Sequence, residues 1–444
     1  MRKNVLIVAL VLLVALVSCA DHEHAWSEWK VVEESTCTKA GSRTRTCIGC
    51  NEKETEKLPL KEHSYECNTV VEPNCVDTGS EEQVCVGCKA KGETREVEAL
   101  GHEYGKDGKC TRCGNEQAKV EAAEARIGFV YYAKFEDAVH AAVKATKAED
   151  KIVEVLKDKI DLRDEEKQHT PEINGSVTIN ANGADFENKC EIPVVTYNHE
   201  NDGFCTTDDI LIVINDAKNL YLWGQPGNKD GDPNVQGCEE YRNKTINITM
   251  NNCSNEGTSR TEKDGRLIYI VGTYNTVNIT LNNCSVSKSD SPVYTNASGT
   301  IVIKDCTFTE CAVPVNMNYK ATEGTRRITI DGCTFTACGF TKEESTGSDL
   351  SEYAAPIRVL HTADGSDDCV TITNTSITGT VGTNGDVLLL AKHEDDSKIK
   401  AEKAILENNK TDIKVVYGKD EANVKTVKAG TSDTIEVVLP PAST

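Results

Sequence analysis

Histidine and cysteine recur together, at fixed spacing, through the N-terminal quarter of this 444-residue chain. His24, Cys37, Cys47 and Cys50 are matched by His63, Cys75, Cys85 and Cys88, displaced by 38 or 39 residues, and a shortened third copy supplies His102, Cys110 and Cys113. Cys-x-x-Cys with one more cysteine and a histidine offers three soft donors and one borderline donor, the set that holds zinc tetrahedrally. Disulfides are the competing use of cysteine in an exported chain. A bond inside Cys-x-x-Cys is strained and redox-active, however, and disulfides leave one histidine per unit unexplained. A zinc site of this composition is closed and structural, with no catalytic position. The register stays open: Cys37, Cys47 and Cys50 can be completed by His24 or by His63. With the closing histidine, His102 completes the second site and the third copy keeps only Cys110 and Cys113. Cys67 fits neither scheme.

An aromatic residue stands two places after each histidine (Trp26, Tyr65, Tyr104), and Gly41 and Gly79 each follow the first cysteine by four. Apolar residues are few, so core burial alone cannot hold units of this size. The units resemble the tandem His/Cys repeats of surface proteins from anaerobic gut bacteria, on the strength of Trp26-x-x-Trp29 and the terminal DGKCTRCG at 107–114. That resemblance covers residues 20–115 and implies a stalk or spacer.

Upstream, Arg2 and Lys3 precede an apolar run from Val5 to Val17, too short to span a bilayer and of the length of an export signal. The run ends Leu16-Val17-Ser18-Cys19, which resembles the lipobox of bacterial lipoproteins. The resemblance implies that residues 1–19 form a lipoprotein signal peptide and that Cys19 is acylated. The mature chain is then tethered to the membrane of the bacterial cell envelope, exported to the cell surface or outer membrane.

A second repeat fills the C-terminal two-thirds. INITMNNC ends at Cys253, VNITLNNC at Cys284, IVIKDC at Cys306 and RITIDGC at Cys333, and VTITNT puts Thr375 in the cysteine's place. Apolar residues stand five and three places before each marker (Ile248/Met250, Ile279/Leu281, Ile301/Ile303, Ile328/Ile330, Val370/Ile372). Val286, Phe308, Phe335 and Ile377 stand two places after. Period-two spacing predicts strands with one buried face, and its return at variable intervals predicts a solenoid of two or more strands per turn. The fold class expected is all-β, a parallel β-helix over 126–425. A linker at 116–125 (NEQAKVEAAE) precedes it, and a C-terminal strand and tail at 426–444 follow. ARIGFVYY (125–132) and KIVEVLKDKIDL (151–162) read as strands. Between them Phe135, Ala138, Val139, Ala142 and Val143 lay an apolar stripe on a helix suited to cap the first coil. His140 and His169 read as surface residues. Cys253, Cys284, Cys306 and Cys333 are expected on the coil strand, facing inward as free thiols, with Cys311 and Cys338 as a second short stack.

The coils resemble the pectin-lyase-like right-handed β-helix superfamily over residues 125–425. Many of its members cleave acidic polysaccharide, by lyases with an Arg or Lys base and calcium on Asp, or by hydrolases with several Asp on one face. Here the acidic pairs Asp208-Asp209 and Asp367-Asp368 fall in predicted loops, Gly-His-Gly is absent with His361 in HTADG instead, and Arg326, Arg327 and Arg358 lack an accompanying calcium cluster. Asp230 and Asp232 in GNKDGDPN can offer oxygens to calcium, but the cluster reads better as a solvated turn. A formal net charge of −22 argues against nucleic acid, which needs clustered Lys and Arg, and 5% aromatic residues give little for a sugar-stacking cleft. Variable loops at one corner of each coil (254–266, 286–291, 309–312, 336–354, 378–385) mark one face for binding. The expectation is a non-catalytic, lipid-anchored surface protein whose zinc-stabilised stalk presents a β-helix for adhesion to a glycan or host surface protein. The alternative is a polysaccharide lyase or glycoside hydrolase on the same scaffold.

Overall fold

A computed structural model describes residues 23–162, 173–187, 191–194, 209–224, 244–271, 275–319, 326–341, 343–344, 355–361, 367–382, 385–391, 401–418 and 423–437. Residues 1–19 with Cys19, His169, Asp208, the Asp230/Asp232 turn, most of the 339–353 loop and the final tail lie outside these. The chain divides into two compact units, Met1–Gly114 and Asn115–Thr444.

In the first unit, each of the two long repeats folds as a three-stranded antiparallel sheet: Lys30–Glu33, Gly41–Thr46 and Lys53–Leu58, then Tyr65–Val71, Gly79–Cys85 and Lys91–Val97. The recurring glycine opens the middle strand where its neighbour bulges. A Cβ on Gly41 would sit 2.4 Å from the Glu33 carbonyl oxygen, and one on Gly79 would sit 2.5 Å from that of Val71. Arg43 and Arg45 lie over the Trp29 ring at 4.7 Å and reach Glu56 and Glu54 on the next strand, so polar and cation–π contacts cover the sheet face. Among the described residues of this unit, the buried apolar side chains are Cys47, Cys75, Cys85 and Cys110.

The second unit is built from long parallel sheets, an all-β arrangement compatible with a β-helix. From Thr245 onward each turn gives one strand to each of three sheets. Thr245–Asn251, Ser254–Glu256 and Ile268–Ile270 are followed by Thr276–Asn282, Ser285–Ser287 and Val293–Thr295, and so on to Asp367–Thr373, Ser376–Thr378 and Val387–Ala391. Register never slips: Ile248, Ile279, Ile301, Ile328 and Val370 stack in line, as do Met250, Leu281, Ile303, Ile330 and Ile372. Alternate residues face out, where Asn215 donates to Asn180, Asn251 to Asn215 and Asn282 to Asn251 at 2.7–2.8 Å. The third sheet, made of the short strand of each turn (Ser254–Glu256 through Ser376–Thr378), is the element that the variable loops concealed. Its three-residue strands each bury one side chain, and the rings of Phe308 and Phe335 stack 5.0 Å apart.

The marker cysteines sit at corners, not on strands. The preceding residue adopts a left-handed conformation (Asn252, Asn283, Asp305, Gly332, Asn374), which Gly, Asn and Asp tolerate best. It turns the chain so that the next side chain points inward. Each buried thiol then donates to the carbonyl two residues back, Cys284 to Asn282 at 3.4 Å and Cys333 to Asp331 at 3.4 Å. Thr375 makes the same contact to Thr373 at 2.8 Å, which is why threonine can replace cysteine there. Cys311 and Cys338 occupy the next corner, also buried, and burial holds the Cys311 thiol well above its ordinary value.

Several expected boundaries shift. Within the expected linker 116–125, Ala, Lys and Glu favour helix, and Gln117–Ala122 forms α1. ARIGFVYY is split by Gly128, at φ +51, into an antiparallel pair, Ala125–Ile127 and Val130–Tyr132. KIVEVLKDKIDL likewise gives two strands, Ile152–Val155 and Lys159–Asp161. Helix α2, Phe135–Lys144, buries Phe135, Ala138, Val139 and Ala142. Its first free N–H, that of Phe135, donates to Glu124 Oε2 at 2.9 Å, and Phe135 meets the Phe186 ring edge-on at 5.4 Å. His140 lies half-buried on α2. The C-terminal segment is part of the fold: Asn423–Val427 and Ser432–Val437 run antiparallel along the last parallel strands and bury Val427, Ile435 and Val437.

Candidate metal centres

Eleven His and Cys residues of the first unit gather into three clusters, with donor atoms in each within 4.8 Å of one another: His24/Cys47/Cys50, Cys37/His63/Cys85/Cys88 and Cys75/His102/Cys110/Cys113. This corrects both groupings open in the sequence. Cys37 does not join Cys47 and Cys50 under either histidine. It crosses to the following unit, as Cys75 does, and the short third copy thereby has a complete set. Cys67 lies exposed on Tyr65–Val71, outside the clusters.

The Cys-x-x-Cys segments form the turn after the middle strand or its counterpart. Asn51 N–H donates to the Cys47 carbonyl, Lys89 to Cys85 and Gly114 to Cys110, all at 2.8–2.9 Å, with the three donors at positive φ. The aromatic residue after each histidine stacks on the imidazole: Trp26 on His24 at 5.0 Å, Tyr65 on His63 and Tyr104 on His102 at 5.6 Å. That fixes each ring with Nδ1 toward the sulfurs. The crossing cysteines ride on tight loops. Lys39 N–H donates to Thr36 Oγ1 at 2.9 Å, and Asp77 N–H to Asn74 Oδ1 at 2.8 Å. The same loops are tied to the strand exit leading to the next unit, by Lys61 N–H to the Thr36 carbonyl and Leu100 N–H to the Asn74 carbonyl.

The distances suit a bound ion. A tetrahedron with metal–sulfur bonds near 2.3 Å and metal–nitrogen bonds near 2.0 Å places sulfurs about 3.8 Å apart and nitrogen about 3.5 Å from sulfur. Here Cys37 and Cys85 sulfurs are 3.8 Å apart and Cys75 and Cys110 sulfurs 3.9 Å. Nδ1 lies 3.5 Å from Sγ in His24/Cys50, 3.4 Å in His63/Cys88 and 3.3 Å in His102/Cys113. Backbone N–H of Cys88 and the His63 side chain draw the Cys85 thiol down to about 6. Burial opposes the same effect at Cys110, where N–H of Cys113 and the His102 side chain still bring the thiol to about 5. Contact with Cys88, and burial after it, pushes Cys37 up to about 11, and burial, with the Cys110 contact after it, pushes Cys75 up to about 11. Such crowding of thiols is relieved when a cation takes their protons' place. One functional neighbour escaped the sequence reading: Glu52 Oε2 lies 3.4 Å from His24 Nε2.

On the coils, the candidate polysaccharide-cleaving groups fall differently from their predicted places. Asp367 and Asp368 open the strand Asp367–Thr373 and so are not on a loop, and His361 ends the strand Ile357–His361. Arg326 and Arg358 are buried at 0% and 5% exposure, with Arg358 Nε donating to Asn316 Oδ1 at 3.1 Å. A base must reach solvent-borne substrate, and these two are scaffold. A shallow groove does run over the third sheet, lined by Lys218, Asn219, Glu256, Ser285, Val286 and Thr307.

Comparison with protein-family models, curated proteins and solved structures finds no match to the chain.

Proposed function

We propose that this is a lipid-anchored protein of the bacterial cell envelope, exported through the signal at 1–19 and held by acylated Cys19. In it, zinc-bound Cys/His units form a stalk, and a right-handed parallel β-helix capped by α2 binds a glycan or host surface protein without transforming it. The observation that carries the stalk reading is that cysteine sulfurs are the buried apolar side chains of the described part of the first unit, gathered with histidine at metal–ligand distances. A sheet pair this small has no other interior to fold around, and structural zinc supplies folding free energy outright. Zinc is the ion favoured by a Cys3His set. The binding reading is supported by the hydroxyl- and amide-rich groove over the third sheet and by the burial of Arg326 and Arg358.

The test is a glycan array and a polysaccharide-depolymerisation screen of the mature chain, with and without calcium. Bound glycan with no product is expected, whereas release of unsaturated or reducing-end products overturns the non-catalytic reading in favour of a lyase or hydrolase. Anchoring is checked by palmitate labelling in a bacterial host, which Cys19→Ser should abolish.

A further inference from the structure

We infer that the outward face of the third sheet is a glycan site, and that it takes a neutral, linear polysaccharide lying across the strands. The inference rests on the glycan-binding reading proposed above and gives it a place and a ligand class. The five short strands pair in unbroken parallel register. Their first outward positions are Ser254, Ser285, Thr307, Thr334 and Ser376. Their second are Glu256, Ser287, Thr309, Thr336 and Thr378. None of these residues is buried, and Ser285, Thr307, Thr336 and Thr378 are exposed. Left-handed residues bound the strands on both sides (Asn283 and Lys288, Asp305 and Glu310, Gly332 and Ala337), which cuts each to the same length and keeps the two rows straight.

The scaffold does not demand hydroxyls here. Earlier coils continue the same face through Lys218 and Asp185, and there the strands Lys159–Asp161 and Asp185–Glu187 put Lys159, Asp161, Asp185 and Glu187 outward. From Ser254 onward every outward position except Glu256 is Ser or Thr, in a chain of net charge −22. A polyanion is repelled by such a chain and meets no row of cations on this face. A neutral sugar polymer meets groups that both donate and accept, as its own hydroxyls do. Geometry points the same way. The rows repeat at about 4.8 Å from strand to strand and stand about 7 Å apart along each strand. A pyranose in an extended chain advances by roughly one strand spacing, so each sugar meets the same pair of hydroxyls as the last. The groove crosses the strands in that direction, from Lys218 over Val286 to Thr309. A peptide adding as a strand would need a sheet edge, whereas this face offers side chains. The two rows contain no aromatic ring, so each sugar is held by hydrogen bonds alone and affinity accumulates with chain length.

The test uses the full chain carrying Cys19→Ser, run through affinity gels containing mixed-linkage β-glucan, glucomannan, arabinoxylan or polygalacturonate, then titrated with oligosaccharides of the polymer that retards it. Retardation by a neutral polymer and none by polygalacturonate is expected. Affinity should rise with oligosaccharide length up to about five sugars, one per strand, and then level off. Thr307→Glu/Thr336→Glu should weaken binding at least about tenfold. Thr276→Glu/Thr300→Glu, at exposed positions of the first sheet, should leave it unchanged. Equal urea midpoints check that both variants fold, and the length dependence needs no variant. Binding that ignores the Thr307 and Thr336 changes, or that is independent of length, overturns this site while leaving glycan binding standing. Preference for polygalacturonate overturns the neutral class. No retardation by any polymer, with a blank glycan array, overturns the glycan reading itself.

Discussion

The sulfurs of Cys37 and Cys85 lie 3.8 Å apart although 48 residues separate them. Each repeat therefore lends its first cysteine to the next, and a metal ion bound there staples two units together. Neighbouring units become links whose stability is shared, as in other repeat arrays where interfaces contribute much of the folding free energy.

Cys37→Ser should empty the second cluster and spare the first. Metal content falls by about one ion per chain, and in NMR the imidazole signals of His63 shift while those of His24 hold. A change at His24 with His63 unmoved would mean that the ligands pair within a unit after all.

Removing metal should act on one unit only. With a strong chelator, amide exchange across Gly41–Thr46 and Gly79–Cys85 should accelerate to that of an unfolded chain, because no apolar core remains to protect these strands. The parallel sheets, which bury long rows of Ile, Val and Leu, should keep their protection. Persistent protection in both hairpins would refute a folding role for the ion.

Asn283 holds a left-handed corner at φ +51 and donates to Asn252 at 2.9 Å. Asn283→Val should destabilise the second unit by about 1–2 kcal/mol from backbone strain alone. Asn283→Gly, which copies Gly332 two corners further on, should cost less than the valine, both read by urea denaturation. Equal costs would show that the backbone conformation is not what selects asparagine.

Arg266 and Asp290 form a buried two-pronged pair with 7% and 3% of their side chains exposed, Nε to Oδ1 at 2.8 Å, under a guanidinium–Tyr269 stack at 4.3 Å. Asp290→Asn leaves a buried cation without its counter-charge and should cost about 3–5 kcal/mol. Arg266→Met with Asp290→Leu should recover most of that, and a double variant as unstable as the single one would contradict this account.

Thr373 and Asn374 donate to the Asp331 carboxylate and hold its pKa below the ordinary 3.8. A depressed carboxyl pKa adds stability above the unfolded value, lost as pH falls through the folded one. Asp331→Asn should therefore flatten the acid limb of the stability profile below about pH 4 and leave its slope near neutrality unchanged. An unaltered acid limb would remove Asp331 from the account.

The strand positions were legible because period-two burial leaves a trace in every long strand, from Ile248/Met250 to Val370/Ile372. The third sheet left almost none: a three-residue strand buries a single side chain, so Val286, Phe308 and Phe335 showed as marks without an alternation around them. The Asn, Asp and Gly before each marker cysteine did carry the corner in the sequence, through their tolerance of positive φ. Glu52 could have been noticed as the acidic residue closing one Cys-x-x-Cys turn and missing from the next.

By itself, the sequence determined the kinds of donor, the count of repeats and the parallel stacking of the coils, because residue chemistry and burial period are local properties. Which cysteine serves which histidine was decided only in three dimensions. Spacing along the chain satisfies a donor set within a unit or across two, and the Thr36 and Asn74 loops send Cys37 and Cys75 forward. The same holds for Arg326 and Arg358: a cation's place, buried in the stack or open to a substrate, depends on the neighbours that later turns lay over it.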